Sequence, residues 1–219
     1  MKLLLTSSGL SNQSIAKALF DLVGKKPQDT KVIFIPTASN VEQGDKGWLI
    51  NDLVNLQKQN FASIDIADIS AVDRIIWEPK LQEADVLFFE GGNTYHLMEW
   101  VNKSGLKDVL PQLLETRVYV GVSAGSMITN KDLALTTSKI IYGEDLDRTE
   151  EMKGLDYVDF YFLPHLNNDH FPNVTKDTIE KMVQGMDAKV YALDDNSAIK
   201  IDGDNIEVIS EGDYYIFNQ

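Results

Sequence analysis

The stretch Val118-Tyr-Val-Gly-Val-Ser-Ala-Gly-Ser-Met127 joins a run of β-branched and aromatic residues to a helix-compatible segment. The run reads as a buried strand, and the residues from Ala124 to about Asn130 as a helix. Between them, Gly121-Val-Ser-Ala-Gly125 has the Gly-x-Ser-x-Gly pattern of a nucleophile elbow. A sharp turn there leaves little room for side chains two residues either side of the serine, and it exposes the Ser123 hydroxyl at the C-terminal end of the strand. Taken alone, the pattern also fits an ordinary tight strand-to-helix turn, so its meaning depends on what surrounds it.

Outward from this turn, short apolar runs alternate with segments of helical period. Lys2–Thr6, Lys31–Ile35, Ser63–Ile66, Ala84–Phe89 and Val118–Val122 read as buried strands. Asn12–Val23, Lys46–Gln59, Ala71–Lys80 and Thr94–Leu114 read as helices, the last broken near Ser104-Gly105. Strand followed by helix, repeatedly, predicts a mainly parallel sheet covered on both faces, a doubly wound α/β fold. Beyond Ile128 the rhythm changes. Ala134–Tyr142 and Tyr157–Leu163 read as strands and Val174–Gln184 as a helix. Lys189–Leu193, Ala198–Ile201, Ile206–Ile209 and Tyr214–Phe217 read as a closing set of strands, with Gly203 and Gly212 predicting antiparallel hairpins at one sheet edge. No Pro/Gly/Ser-rich linker or low-complexity stretch divides the chain, so a single domain over residues 1–219 is expected.

Composition narrows the function classes. A formal charge of −14, without clustered lysine and arginine, disfavours nucleic acid and anionic membranes as partners. The absence of cysteine removes any thiolate nucleophile, disulfide framework or cysteine-ligated metal. Met1-Lys-Leu-Leu-Leu-Thr6 is too short for a signal-peptide core, and no run of about 18 apolar residues occurs. A cytoplasmic protein is expected, as a monomer or a homodimer built on its edge strands.

In a sheet of this kind, ligands bind beyond the C-terminal ends of the strands. The first strand-end loop of interest, Ile35-Pro-Thr-Ala-Ser-Asn40, is small and polar and fits either a pocket wall or a plain connection with a helix cap. In Phe88-Phe-Glu-Gly-Gly-Asn-Thr94, adjacent glycines after a strand let the backbone approach a ligand and turn its N–H groups inward, as an oxyanion hole requires. Pro164-His-Leu-Asn-Asn-Asp-His170 carries two of the three histidines. A serine nucleophile needs a base that titrates near neutrality, and His165, directly after a strand, belongs on the same rim as Ser123. His96 and His170 read as packing or surface residues, and a metal site of His165, Asp169 and His170 matches no ligand spacing, so no metal is expected. In Tyr191-Ala-Leu-Asp-Asp-Asn-Ser-Ala198, either carboxylate could orient the imidazole, and the same residues suit a hairpin turn.

Glu90-Gly-Gly-Asn-Thr94, Gly121-Val-Ser-Ala-Gly-Ser126 and Pro164-His165, in this order and spacing, resemble the S51 peptidases, a family that includes dipeptidase E and cyanophycinase. The resemblance implies a flavodoxin-like fold related to class I glutamine amidotransferases, with serine in place of their cysteine. It implies Ser123 as nucleophile, His165 as general base, Gly92 and the backbone N–H of Ala124 as oxyanion hole, Gly91 and Asn93 in contact with substrate, and no cofactor. The aspartate that follows a Thr-Thr-Asn segment in dipeptidase E is replaced here by Lys139, in Thr136-Thr-Ser-Lys139. The Asp-Glu-x-x-Ala segment of the cyanophycinase branch is matched by Asp194-Asp-Asn-Ser-Ala198, which nominates Asp195 as the acid, with Asp194, Glu144 and Asp145 behind it. The expected activity is hydrolysis of small peptides, aspartyl dipeptides among them. The family's arginine-bearing stretch reads here Phe171-Pro-Asn-Val-Thr-Lys-Asp-Thr-Ile-Glu180, leaving Lys176 as the residue that could meet a substrate carboxylate. The alternative is a binding or regulatory protein that keeps the elbow on an amidotransferase-like scaffold.

Overall fold

The computed structural model describes residues 1–218. In chain order the elements are β1 (Lys2–Thr6), α1 (Gln13–Val23), β2 (Lys31–Ile35), α2 (Gly47–Lys58), β3 (Ser63–Ile66), α3 (Arg74–Glu83), β4 (Val86–Phe89), α4 (Thr94–Lys103), α5 (Leu106–Leu113) and β5 (Val118–Val122). They continue as α6 (Ala124–Met127), β6 (Asp132–Leu133), α7 (Leu135–Thr137), β7 (Met152–Lys153), β8 (Phe160–Leu163), α8 (Lys176–Met182), β9 (Lys189–Leu193), β10 (Ser197–Asp202), β11 (Asn205–Ser210) and β12 (Tyr214–Phe217).

The main sheet has the order β11-β10-β1-β5-β4-β2-β3. β1 to β5 pair in parallel, and β10 and β11 add antiparallel to the β1 edge. Alternate residues of the central strands enter two separate apolar layers. Leu3, Leu5, Leu87 and Phe89 pack under α3, α4 and α5 with Trp77, Leu97 and Leu110. Leu4, Val86, Phe88 and Val120 pack on the other face with Ile15, Leu19 and Leu22 of α1 and Leu56 of α2. Burial of both faces explains why these strands read as unbroken apolar runs. The expected doubly wound, mainly parallel α/β fold is what the structure has.

A second layer of structure brings the histidine loop to the sheet. β8 and β9 pair in parallel across α8, and β12 joins the free side of β9. Leu163, Ile179 and Val190 form the core of this unit. Among the described residues, no helix is long and apolar enough to cross a membrane.

Two local expectations are corrected. Ala134–Tyr142 is not a strand: α7 runs into a wide helical turn over Ser138–Tyr142, which Gly143 ends with φ +69°. Leu135, Ser138 and Ile141 are the buried positions of this segment, a spacing of three that only a helical turn satisfies, whereas a strand would bury every second residue. Of the two hairpins, the one at Gly203 forms, with Asp202 opposite Asn205 and φ +61° at the glycine. At Gly212 the chain instead leaves β11 and crosses to β9. The Asp213 N–H donates to the Asp194 carboxylate at 2.7 Å and the Asp194 N–H to the Asp213 carbonyl, which redirects the chain.

Candidate active site

The turn after β5 puts Ser123 at φ 47°, ψ −106°, a strained conformation for a residue with a side chain. It is fixed from both directions. The β1 carbonyl of Thr6 accepts the Ser123 N–H at 3.0 Å and the Ser126 hydroxyl at 2.9 Å, and the Thr6 hydroxyl donates to the Gly121 carbonyl at 2.8 Å. The two glycines of the motif are sterically required. A Cβ at Gly121 would lie 2.6 Å from the Gly125 backbone, and one at Gly125 would lie 2.2 Å from the Phe89 carbonyl oxygen.

Three loops converge on this serine. After β8, the chain passes through positive φ at His165 (65°) and Asn167 (59°). His165 Nε2 lies 2.9 Å from Ser123 Oγ, and His165 Nδ1 lies 2.7 Å from Asp195 Oδ1 in the turn between β9 and β10. A ring nitrogen beside a carboxylate carries the proton, which leaves Nε2 as acceptor for the serine hydroxyl. The ring stacks on Phe171, centroids 4.5 Å apart and planes 14° apart, which fixes its tilt. Burial acts to raise the Asp195 pKa, but hydrogen bonds with His165, Ser7 and Asn168 outweigh it and hold the carboxyl down at about 2.

The other acids nominated from the sequence are occupied elsewhere. Asp194 accepts from Ser197, Asn196 and Asp213, as a turn residue. Asp145 accepts from Ser138 and faces Arg148. Glu144 is half-buried, and burial, then Glu42 and Asp145, push its pKa up to about 8. Lys139 donates to the Arg148 carbonyl at 2.5 Å. Lys176 lies over the Tyr215 ring, 4.8 Å from its centroid. His170 is exposed, and His96 sits in the first turn of α4.

The Glu90-Gly91-Gly92 loop lies against Ser123. A Cβ at Gly91 would be 3.4 Å from that of Ser123. Gly92 has φ +124°, and a Cβ there would be 2.4 Å from the Ala38 carbonyl oxygen, so the loop demands glycine on two counts. Among the described residues, neither the Gly92 nor the Ala124 N–H donates to a backbone acceptor, leaving two donors beside the serine. The Asn93 side chain caps α4 by accepting the His96 N–H at 2.8 Å, and its amide donates to Asp145.

Two contributors escaped the sequence. Ser7, just past β1, accepts the His165 backbone N–H at 2.8 Å and donates to Asp195 Oδ1 at 2.7 Å. Asn168 donates to the other Asp195 oxygen at 2.5 Å. The available signal was positional: Ser7-Ser8-Gly9 ends a central strand on the same rim as the other loops.

Beneath this loop two acids share an apolar site. Glu90 is fully buried, neither carboxyl oxygen has a hydrogen-bond partner among the described residues, and it faces Asp52 of α2. Burial first, then the facing carboxyl, raise the Glu90 pKa well above the ordinary range, and burial raises that of Asp52 to about 6. Raised pKa values mean that the folded state holds protons the unfolded chain has released, so this pair stabilises fully below pH ~4 and loses that contribution as pH rises through 6 and beyond. Asp195 has the opposite sign: its contribution is present above pH ~4 and is lost as pH falls towards 2. The unfolding free energy of the wild type, from urea titrations, is therefore expected to decline from pH 4 to 7, by up to about 1.4 kcal/mol per pH unit for each retained proton, and Glu90→Gln should flatten that decline. An unchanged slope would show that the pair ionises normally.

Comparison with known proteins extends the geometry. A family model described as peptidase family S51 matches residues 3–209. An uncharacterised peptidase of Pasteurella multocida is 29% identical over 157 residues, covering 70% of this chain and 73% of that protein. A peptidase E of Shewanella denitrificans is 24% identical over 225 residues, covering 99% of this chain and 90% of its own. The 1.5 Å crystal structure of a Listeria monocytogenes protein described as a peptidase E superposes with a TM-score of 0.79 at 25% identity, covering 96% of this chain and 98% of that one.

Proposed function

The chain belongs to peptidase family S51, and on that footing we propose that it hydrolyses small peptides through an acyl-enzyme on Ser123. The observation that carries this reading is the unbroken line from Ser123 Oγ to His165 Nε2 at 2.9 Å and from His165 Nδ1 to Asp195 Oδ1 at 2.7 Å.

In the proposed reaction, His165 Nε2 takes the hydroxyl proton as Ser123 Oγ attacks the peptide carbonyl. Asp195 accepts the Nδ1–H and stabilises the imidazolium that forms. The Gly92 and Ala124 N–H groups receive the oxyanion. The imidazolium then returns its proton to the leaving amine as the C–N bond breaks. Water, deprotonated by the same nitrogen, attacks the ester carbonyl, and Ser123 leaves with the proton. Gly91 and Asn93 would flank the bound peptide, with the Asn93 carboxamide already committed to capping α4.

The decisive test pairs a fluorophosphonate probe with a dipeptide panel. Ser123 is expected to be the labelled residue, and Ser123→Ala to abolish labelling and to lower kcat by about 10⁶-fold. Hydrolysis that survives in Ser123→Ala would overturn the assignment. Absence of labelling in the intact protein would favour the binding-protein alternative.

A further inference from the structure

A cavity of about 180 Å³ is lined by residues that stand two to four positions from Gly92, Ser123 and His165 in the chain. Its walls come from each of the segments that carry the proposed machinery. Thr94 follows Gly92-Asn93 into α4, Met127 is one turn along α6 from Ser123, and Leu163 ends β8 two residues before His165. The Tyr142 side chain, also in the wall, donates to the Pro164 carbonyl next to the base. Met182 and Val190 also line it.

No lysine or arginine is among the residues that line this space. Its ionisable carboxyl groups are those of Asp132, which pairs with Lys153 at 2.5 Å, and Glu144, which holds its proton at neutral pH for the reasons given above. An aspartate side chain inside would be a desolvated carboxylate without a cation of its own, an arrangement that strongly disfavours binding. An uncharged side chain would instead exchange water for methionine, tyrosine and aliphatic contacts, and flexible methionines adapt to its shape. Apolar cavities of about 150 Å³ accommodate a benzene ring, so the size suits a branched aliphatic or phenyl group.

We propose that this cavity receives a side chain flanking the scissile bond and selects apolar residues of leucine to phenylalanine size over aspartate. The inference rests on the peptidase reading of Ser123 and supplies its substrate class.

The test measures kcat/KM for Leu-Ala, Phe-Ala, Ala-Leu, Ala-Ala and Asp-Ala with the wild type and with Ala134→Phe, which places a ring in the cavity from its rim. A leucyl or phenylalanyl peptide is expected to exceed Asp-Ala by at least about 10-fold, and Ala134→Phe to bring the Leu-Ala to Ala-Ala ratio towards one, largely through KM. Asp-Ala as the preferred substrate, or an unaltered ratio in a folded Ala134→Phe, would overturn the inference while leaving the nucleophile in place. If Ser123 goes unlabelled and no peptide is cut, the peptidase reading fails separately. Calorimetric binding of Leu-Ala and Asp-Ala to Ser123→Ala, with and without Ala134→Phe, then decides the cavity alone. Tighter Leu-Ala binding that the phenylalanine removes supports it, and equal or tighter Asp-Ala binding overturns it.

Discussion

Asparagine in place of Asp195 is expected to lower kcat by about 10⁴-fold with little change in KM or in the fold. The effect follows from which proton sits where. An amide that turns its oxygen towards Nδ1 keeps the tautomer but loses the charge that stabilises the imidazolium. One that turns its NH₂ towards Nδ1 forces the ring proton onto Nε2, which can then no longer accept from Ser123. Asn168, which donates to the carboxylate oxygen turned away from the ring, favours the second, inactive arrangement, whereas Ser7, which donates to the oxygen that faces Nδ1, favours the first. Lys139→Asp restores the acid found at that position in the dipeptidase E branch, yet Lys139 is directed at the Arg148 carbonyl rather than at His165. It should leave turnover within a few-fold of wild type. Steady-state kinetics on one dipeptide checks both variants. Strong loss in Lys139→Asp with activity retained in Asp195→Asn would reverse the assignment.

The second large effect is on stability. Gly125→Ala should destabilise the protein by about 3 kcal/mol and stop fluorophosphonate labelling, because the added methyl would sit 2.2 Å from the Phe89 carbonyl oxygen, a contact only backbone movement can relieve. β4 and α6 would have to separate, and β4 leads directly into the Gly91-Gly92 loop. Gly143→Ala provides the contrast. Unlike Gly125 it has a left-handed backbone, φ +69°, but nothing lies within 4 Å of the new atom, so about 1 kcal/mol of conformational strain is all that is expected. Urea denaturation with a shared m-value measures both. Equal losses in the two variants would show that the close approach at Gly125 costs no more than the left-handed backbone at Gly143.

How much of this was readable beforehand depended on the range of the forces involved. The central strands β1, β2, β4 and β5 announced themselves because they are buried on both faces and so read as near-continuous apolar runs, with no periodicity to judge. The elbow was readable because the steric exclusion at Gly121, against the Gly125 backbone, acts within five residues. His165 was reachable by elimination among three histidines, and Asp195 by its resemblance to one branch of the family. Lys139 looked like the loss of the acid, and its counterpart 56 positions later was visible only as one of two adjacent aspartates in a turn. Ser7 and Asn168 were not legible. A hydroxyl 188 residues from the carboxylate it contacts leaves no local pattern, and Asn168 resembles any loop asparagine. The segment around Ser138 misled because β-branched Thr136, Thr137, Ile140 and Ile141 carry strand propensity, and the packing of Leu135 and Ile141 overrode it.

The diversion of β12 onto β9 has a bearing on when the molecule becomes competent. The Asp194-Asp195 turn is clamped by backbone and side-chain bonds to Asp213, and β9, the strand that delivers it, has β12 as one of its two neighbours. A growing chain that has emerged only as far as Ser210 already contains the serine, the histidine and the aspartate, but not the strand that grips the turn. The turn that holds Asp195 therefore gains its bonds to Asp213 only once residues 213–217 have been made, after β1 to β11.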